Sequence, residues 1–534
     1  MKRLLLILVL IFVSSNHIIS QSISKKRKLP NIIYILADDM SYFDLSGLGQ
    51  KHFDTPNLDS LMNQGMFFSQ AYSGSSECAP SRASLLTGMH MGHCRIRRNE
   101  SYRGQEYLEK DDITIAEMLK KAGYTTGMFG KWGIGLPGTP GTPDKQGFDY
   151  SFGYYDQTRA HGYFPNYLME NGNVVPLTQN YGFDMTNTYA HRFYNGQGEK
   201  GIHIYDKYGK LKPKRDNNKT LPNATYSQDL IQEKVLSFIQ ENKSKPFFLY
   251  YPTQLPHGPL IIPDISKFKD KNWSIQQKEW AAMVELLDKH VGQIVKYLEE
   301  NNIRDNTLIM FSTDNGYSQH GYTGRAQYTD DKLFKHKGPW DRGKSTASDG
   351  GSRIQFFANW PDEIEPGTKS NEIIALYDIF ATYCDIANIR PPKTDGKSFL
   401  PILKGKNRTI HKYLYWENGS SSREMQSTRI GDIFAYREGY DKPVKIYDLS
   451  KDIGCSINIA HFKPEMVKKA LKIFKKEHVA SKWYRNPEDS EEDILKKIKK
   501  AKDSEVILVS IKANKIKPQT RQELYESLKK LNKR

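Results

Sequence analysis

From Asn31 to Ala37 the chain reads Asn-Ile-Ile-Tyr-Ile-Leu-Ala, with β-branched residues at Ile32, Ile33 and Ile35, and it ends in Asp38-Asp39. An apolar run without polar alternation fits a strand covered on both faces, as in a parallel sheet. Two further runs share this character. Thr307-Leu-Ile-Met-Phe-Ser312 ends in Thr313-Asp-Asn-Gly316, and Pro246-Phe-Phe-Leu-Tyr-Tyr251 is followed by Pro252 and then His257. Between these runs apolar residues recur every three or four positions. That spacing predicts helices over 112–122 (stopped by Gly123), 227–242 and 277–301. Strands alternating with helices predict an α/β fold with a large, mostly parallel sheet flanked by helices. In such sheets functional groups collect beyond the carboxyl ends of the strands. Three strands here end in a residue able to bind a metal or move a proton.

The pattern changes around Pro391-Pro392. Short alternating stretches follow at Lys412–Trp416, Asp432–Tyr436 and Lys445–Leu449, then a helical stretch from Lys463 to about Lys482. Residues 21–400 therefore read as the α/β catalytic domain and 409–486 as a smaller antiparallel α+β domain. The Lys- and Glu-rich stretch 487–534 reads as a basic helical extension, a solvated appendage with a short strand at Glu505–Ile511 and a helix from Gln519. Residues 1–20 carry Lys2 and Arg3, an apolar stretch Leu4–Val13 and a small polar end. This is a signal peptide pattern, too short for a confident membrane span. It predicts export to the periplasm or medium. No cysteine follows the apolar stretch, so a lipoprotein anchor is not expected.

Composition narrows the partners. Of 534 residues 38% are hydrophobic and 26% charged, enough apolar material for a large core and too much for a disordered chain. Beyond the N-terminus no apolar run is long enough to span a bilayer, so no stable membrane insertion is expected. Lys and Arg number 78 against 61 Asp and Glu, a net charge of +17. That surplus points to an anionic partner: nucleic acid, acidic lipid, or a sulfated or phosphorylated substrate. The basic residues are dispersed and no nucleic-acid motif accompanies them, so nucleic acid is not the expected partner. Four cysteines, Cys78, Cys94, Cys384 and Cys455, make no disulfide framework for a chain this long.

The stretch Cys78-Ala-Pro-Ser-Arg82-Ala-Ser-Leu-Leu-Thr-Gly88 is the most informative. Pro80 marks a helix start and Gly88 its stop. Cys78 then lies at a helix N-terminus, where free N–H groups favour an anion, and Arg82 lies one turn on along the same face. Asp38, Asp39, Asp314 and Asn315 offer only oxygen ligands, the set that suits Ca²⁺ or, less well, Mg²⁺. Taken singly, each of these is as easily a cap or a turn. Two strand ends of one ligand type with a Cys-Pro-Arg helix between them are not easily coincidental.

The chain resembles the type I, formylglycine-dependent sulfatases of the alkaline-phosphatase superfamily. The resemblance is carried by Asn31–Asp39, Asp54-Thr-Pro-Asn-Leu-Asp59, Cys78-Ala-Pro-Ser-Arg82, Ala122–Thr126, Gly130-Lys-Trp132 and Ser312–Gly316, in that order, and runs to about Ala460. It implies that Cys78 is converted to formylglycine by a formylglycine-generating or sulfatase-maturating enzyme. It also implies one Ca²⁺ held by Asp38, Asp39, residue 78, Asp314 and Asn315. Arg82, Lys131 and Lys344 would hold the sulfate and the hydrated aldehyde, and His257 would protonate the leaving oxygen. The chain departs from the family at two points. Asp349 stands where a glutamate is common near Lys344. The usual Gly-Lys-Trp-His reads Gly130-Lys-Trp-Gly133 here, so His161 or water would have to serve, or the protein is a slow or inactive relative.

Around the pocket, Arg97, Arg159, His161, His191 and Arg192 are candidate substrate contacts, lying in cation-rich and aromatic-rich stretches. With the charge surplus they favour a sulfated carbohydrate over a small aryl sulfate. The Gly-Lys-Trp-Gly and Gly/Pro/Thr features look like bacterial polysaccharide sulfatases acting on galactose-type sugars. A phosphodiesterase or phosphonate hydrolase of the same superfamily and a weakly active carbohydrate-binding relative are the competing readings.

Overall fold

The computed structural model describes residues 28–99, 105–157, 159–180, 205–212, 223–258, 260–318, 331–420 and 423–481. The signal segment, His191, Arg192 and the extension from 487 lie outside the described residues. The strands of the main domain are β1 (Asn31–Ala37), β2 (Met66–Phe68), β3 (Ala71–Tyr72), β4 (Thr125–Lys131), β5 (Tyr150–Tyr154), β6 (Tyr167–Glu170), β7 (Asn173–Pro176), β8 (Phe247–Pro252), β9 (Thr307–Thr313), β10 (Phe356–Asn359), β11 (Thr368–Ser370) and β12 (Ile374–Ala375). Ten of them form one sheet in the order β11-β2-β10-β9-β1-β8-β4-β5-β6-β7, while β3 and β12 pair separately. The centre β9-β1-β8-β4-β5 is parallel throughout. Antiparallel pairs flank it, β10 on β9 at one side and β6 on β5 at the other.

The apolar run of β1 explains its central place. Ile33, Ile35 and Ala37 enter one core, and Ile32, Tyr34 and Leu36 enter the other, all of them fully buried. Successive side chains of a strand point to opposite faces, so both faces must be covered. Helices Pro56–Asn63, Ser227–Asn242 and Ile275–Glu300 supply one cover; Cys78–Thr87, Ile115–Lys121 and Asp378–Ile386 supply the other. Each Ile or Leu so buried stabilises the fold by about 1.5–3 kcal/mol.

β4, absent from the hydrophobic pattern, is Thr-Thr-Gly-Met-Phe-Gly-Lys. Its glycines serve close approach: a Cβ on Gly127 would lie 2.8 Å from the Phe238 ring, and one on Gly130 only 2.2 Å from the Pro252 carbonyl oxygen. A second, antiparallel sheet of β13 (Leu414–Ser420), β14 (Arg423–Ile430), β15 (Ile433–Arg437) and β16 (Lys445–Asp448) packs with helix Pro464–Glu477. β14 also escaped the pattern because its middle is polar. Gln426 and Arg429 are nonetheless buried, the first bonded to Tyr415 and the second to Gln70 and the Gly431 carbonyl. All four cysteines are free. Among the described residues no helix is long and apolar enough to cross a membrane.

Candidate active site

The carboxyl ends of β1, β4, β8 and β9 converge on the start of helix Cys78–Thr87, of which Cys78 is the first residue. Gly88 closes that helix at φ 71°, a left-handed cap natural to glycine. β1 delivers Asp38 and Asp39. Consecutive strand residues would point to opposite faces. Asp39 breaks the alternation with φ 64°, and both carboxylates, Cys78 Sγ and a His257 nitrogen lie within 4.8 Å of one another. Asp residues tolerate this left-handed region better than most, and such strain clusters at functional sites. β9 delivers Asp314 and Asn315. The Asn315 amide Nδ2 donates to Asp39 Oδ1 at 2.8 Å and to the Gly316 carbonyl at 2.9 Å, leaving Oδ1 3.6 Å from Cys78 Sγ.

Three cations thread this carboxylate cluster, Arg82 and Lys131 fully buried and Lys344 partly so. Arg82 donates from Nη1 to the Lys131 carbonyl at 2.7 Å and from Nη2 to Asp314 Oδ2 at 2.8 Å, with Asp38 Oδ2 3.4 Å away. Lys131, at the end of β4, donates to Asp38 Oδ2 at 2.6 Å. Lys344 donates to Asp39 Oδ1 at 2.5 Å and reaches Cys78 Sγ at 3.2 Å. Its loop is pinned at both sides, Lys344 N–H on the Tyr317 carbonyl and Ser345 N–H on the Ser76 carbonyl. Asp349, the departure noted near this lysine, accepts from Tyr72 at 2.6 Å and Trp340 at 3.0 Å and so holds the loop's far side.

His257 sits beyond β8, its Nδ1 donating to the Gly258 carbonyl and its Nε2 3.4 Å from Asp39. His161 stacks on it, ring centroids 4.4 Å apart and nearly parallel at 9°. Tyr163 O–H reaches the Gln254 and His257 carbonyls, and Gln254 Nε2 donates to the Ala160 carbonyl, which fastens the two loops together.

Electrostatics follow from this burial. Desolvation would raise Asp38, but Lys131, His257, Arg82 and Lys344 outweigh it and hold the carboxyl well below its ordinary value. Asp314 moves the other way, to about 6, because burial and then the Asp38 charge exceed the pull of Arg82. Burial, reinforced by Asp38, pushes the Cys78 thiol far up, so it stays protonated. Burial lowers His257 to about 4 despite Asp38 and Asp39. Three crowded carboxylates with an amide oxygen beside them, one carboxylate driven toward its neutral form, fit a hard divalent cation with oxygen ligands.

Asp38, Asp39, Cys78, Arg82, Lys131, His257, Asp314, Asn315 and Lys344 are thus brought together, with His161 beside them. Arg97 is not. Expected at the substrate, it is buried, with Nη1 on Glu417 at 2.6 Å, Nη2 on the Gly92 carbonyl and Nε on the Cys94 carbonyl. It ties the segment after helix Cys78–Thr87 to the second sheet, a corrected role. Arg159 is buried with its guanidinium 4.0 Å from the centre of the Tyr167 ring. One polar residue at this end of β4, Gln157, carried no signal in the sequence pattern.

A second cluster, His90, His93 and Asp395, has metal-like spacing. Its hydrogen bonds argue against that use. His90 Nδ1 accepts the Gly92 N–H, which leaves the proton on Nε2, donated to Glu477 at 3.0 Å. A metal-ligating histidine has the opposite arrangement, its second nitrogen donating.

Oxygen ligands and cations around a residue at a helix N-terminus, on the carboxyl edge of a parallel sheet, describe the site of a hydrolase acting on an anionic ester. The sulfatase family profile matches residues 30–389, and that of the N-sulphoglucosamine sulphohydrolase C-terminal region matches 343–473. The chain belongs to the sulfatase family and is a sulfuric ester hydrolase. It is 30% identical over 500 residues to an N-acetylgalactosamine-6-O-sulfatase of Bacteroides thetaiotaomicron, covering 85% of this chain and 94% of that protein. It is 28% identical over 405 residues to human N-acetylgalactosamine-6-sulfatase, covering 73% and 69%. Among solved structures, Ps i-CgsB superposes with a TM-score of 0.67 at 26% identity, over 86% of this chain and 96% of that one. A phosphonate monoester hydrolase of Agrobacterium radiobacter shares the fold at a TM-score of 0.58 and 18% identity, covering 84% and 96%.

Proposed function

We propose that this protein hydrolyses sulfate esters on a sulfated carbohydrate of galactose type, with residue 78 as formylglycine and one Ca²⁺. The observation that carries this reading is the Cys78 environment. The thiol lies among four oxygen ligands and three cations, with Asp38 Oδ1 3.4 Å, Asn315 Oδ1 3.6 Å and Lys344 Nζ 3.2 Å from Sγ. A neutral thiol is a poor nucleophile and a poor ligand. The position suits an oxygen nucleophile, for which Sγ stands in here as the hydroxyl of the hydrated aldehyde.

Asp38, Asp39, Asp314 and Asn315 would hold the ion, and it would supply Lewis-acid polarisation of a sulfate oxygen and of the residue-78 hydroxyl. Arg82 orients that hydroxyl's surroundings through Asp314 and Asp38. Lys131 and Lys344 put positive charge where the sulfate binds. His257 has its Nδ1 proton committed to a carbonyl and is neutral, so Nε2 is the atom that must take up a proton before it can pass one to the leaving sugar oxygen. The sugar class draws on relatives named for N-acetylgalactosamine 6-sulfate and on Ps i-CgsB, also solved with a neocarrahexaose. The N-terminal pattern supports a location outside the cytoplasm, and maturation needs a formylglycine-forming enzyme. Sulfate release from sulfated galactosides and galactosaminides, against phosphate release from matched phosphodiesters, tests the reading. Release of phosphate but not sulfate would overturn it.

A further inference from the structure

The pairing of β4 with β5 runs past both strands: Trp132 N–H donates to the Tyr154 carbonyl at 2.8 Å and Gly133 N–H to the Tyr155 carbonyl at 3.3 Å. The segment after β5 therefore travels beside Gly133 before it reaches His161 and the catalytic end of β8. Gly133 has φ 77°, and a Cβ there would lie 2.4 Å from Gln157 Oε1. The Gln157 carboxamide thus fills the space in which a residue-133 side chain would begin. Gln157 is only 4% exposed, and its backbone N–H is held by Gln105 Oε1 at 2.7 Å. Yet among the described residues neither its Nε2 nor its Oε1 has a partner, and the same holds for His161 Nε2. A buried polar group without a partner costs about 1–3 kcal/mol. Three of them along one stretch, at the edge where Lys131 and His257 already stand, are hydrogen-bonding groups that a ligand bound there would satisfy.

Their chemistry names the ligand's class. Nε2 of Gln157 can only donate and Oε1 can only accept. A sulfate group is acceptor-only and leaves Oε1 unmet. A sugar hydroxyl both donates and accepts. We infer that Gln157, with His161 Nε2, is a specificity-determining contact to hydroxyls of the sugar ring that carries the ester, in the place of the side chain that Gly133 lacks. The inference rests on the sulfated-carbohydrate reading above and assigns no part of the sulfate's binding to Gln157.

The test compares wild type with Gln157→Leu and Gln157→Asn on a sulfated galactoside that wild type turns over, with inorganic sulfate as a competing product probe. The expected result is a loss in kcat/KM on the galactoside of roughly tenfold to a hundredfold, the size of an unmet buried hydrogen bond. It should fall mainly on KM, with the inhibition constant of inorganic sulfate within about twofold of wild type. Gly133→Ala, which drives a methyl group into the carboxamide, should give the same selective loss. Should Gln157→Leu prevent folding, Gln157→Asn, shorter by one methylene, supplies both readouts. Unchanged galactoside kinetics overturn the inference, and so does an equal weakening of sulfate and galactoside. Absence of sulfate release by wild type from every sulfated sugar would instead overturn the functional reading itself.

Discussion

Arg82→Met is the most informative single change in the site. The guanidinium is fully buried and makes three contacts at once: Asp314 at 2.8 Å, Asp38 at 3.4 Å and the Lys131 carbonyl at 2.7 Å. Methionine refills much of the volume but supplies no donor. Stripping one partner from a buried ion pair costs about 3–5 kcal/mol, and the stranded carbonyl adds about 1 kcal/mol or more, so roughly 4–6 kcal/mol should be lost. That is a large part of the about 5–15 kcal/mol available to a typical domain. The readout is urea unfolding followed by tryptophan fluorescence in the presence of chelator, so that no bound cation replaces the lost charge. The midpoint should fall with an unchanged slope, and sulfate release should vanish. Arg82→Lys should recover less than half of the loss, because one ammonium cannot span a carboxylate and a carbonyl as the planar fork does. A folded Arg82→Met protein less than about 1 kcal/mol below wild type would refute the reasoning that this cation holds the carboxylates together.

Three further outcomes are expected. Buried His290 is lowered to about 3, mainly by desolvation. The unfolded chain takes up a proton near pH 6.5 that the folded protein refuses, so this group's contribution is intact above pH 6.5 and is lost as the pH falls toward 3, by about 5 kcal/mol in all. His290→Phe should flatten that acid limb in unfolding measured across pH, and an unaltered limb would contradict the assignment. Gly130→Ala puts a methyl group 2.2 Å from the Pro252 carbonyl oxygen at φ 131° and should push β4 off β8, costing about 2 kcal/mol or more and displacing the neighbouring Lys131, with thermal unfolding and sulfate release as the assays. Ca²⁺ at a hundredfold its dissociation constant should stabilise the chelated protein by about 2.7 kcal/mol and restore activity more fully than Mg²⁺. No stabilisation by either ion would contradict the carboxylate cluster's proposed use.

Much of the site was legible because it sits where uniform apolar runs stop. The runs at 31–37 and 307–313 end in Asp38-Asp39 and Asp314-Asn315, and buried parallel strands are the elements that pattern shows most plainly. Helix Cys78–Thr87 was legible from Pro80 and Gly88. β4 was not, since two glycines chosen for close backbone approach broke its hydrophobic run, although it carries Lys131. β14 was hidden because a buried strand can be polar when each polar group finds a partner. Arg97 misled for the opposite reason: a cation near a nucleophile suggests an anion, but Glu417, distant in sequence, already supplies one. Gln157 gave no signal at all, because its interest lies in hydrogen bonds it does not make among the described residues.

The account turns on the chemical state of residue 78. The tryptic peptide His52–Arg82, taken from enzyme that releases sulfate, carries that residue. Its mass should be that of the aldehyde form, with no uptake of a thiol-alkylating reagent and with capture by a hydrazide. A peptide bearing an unmodified, alkylatable cysteine in protein of full activity would contradict it.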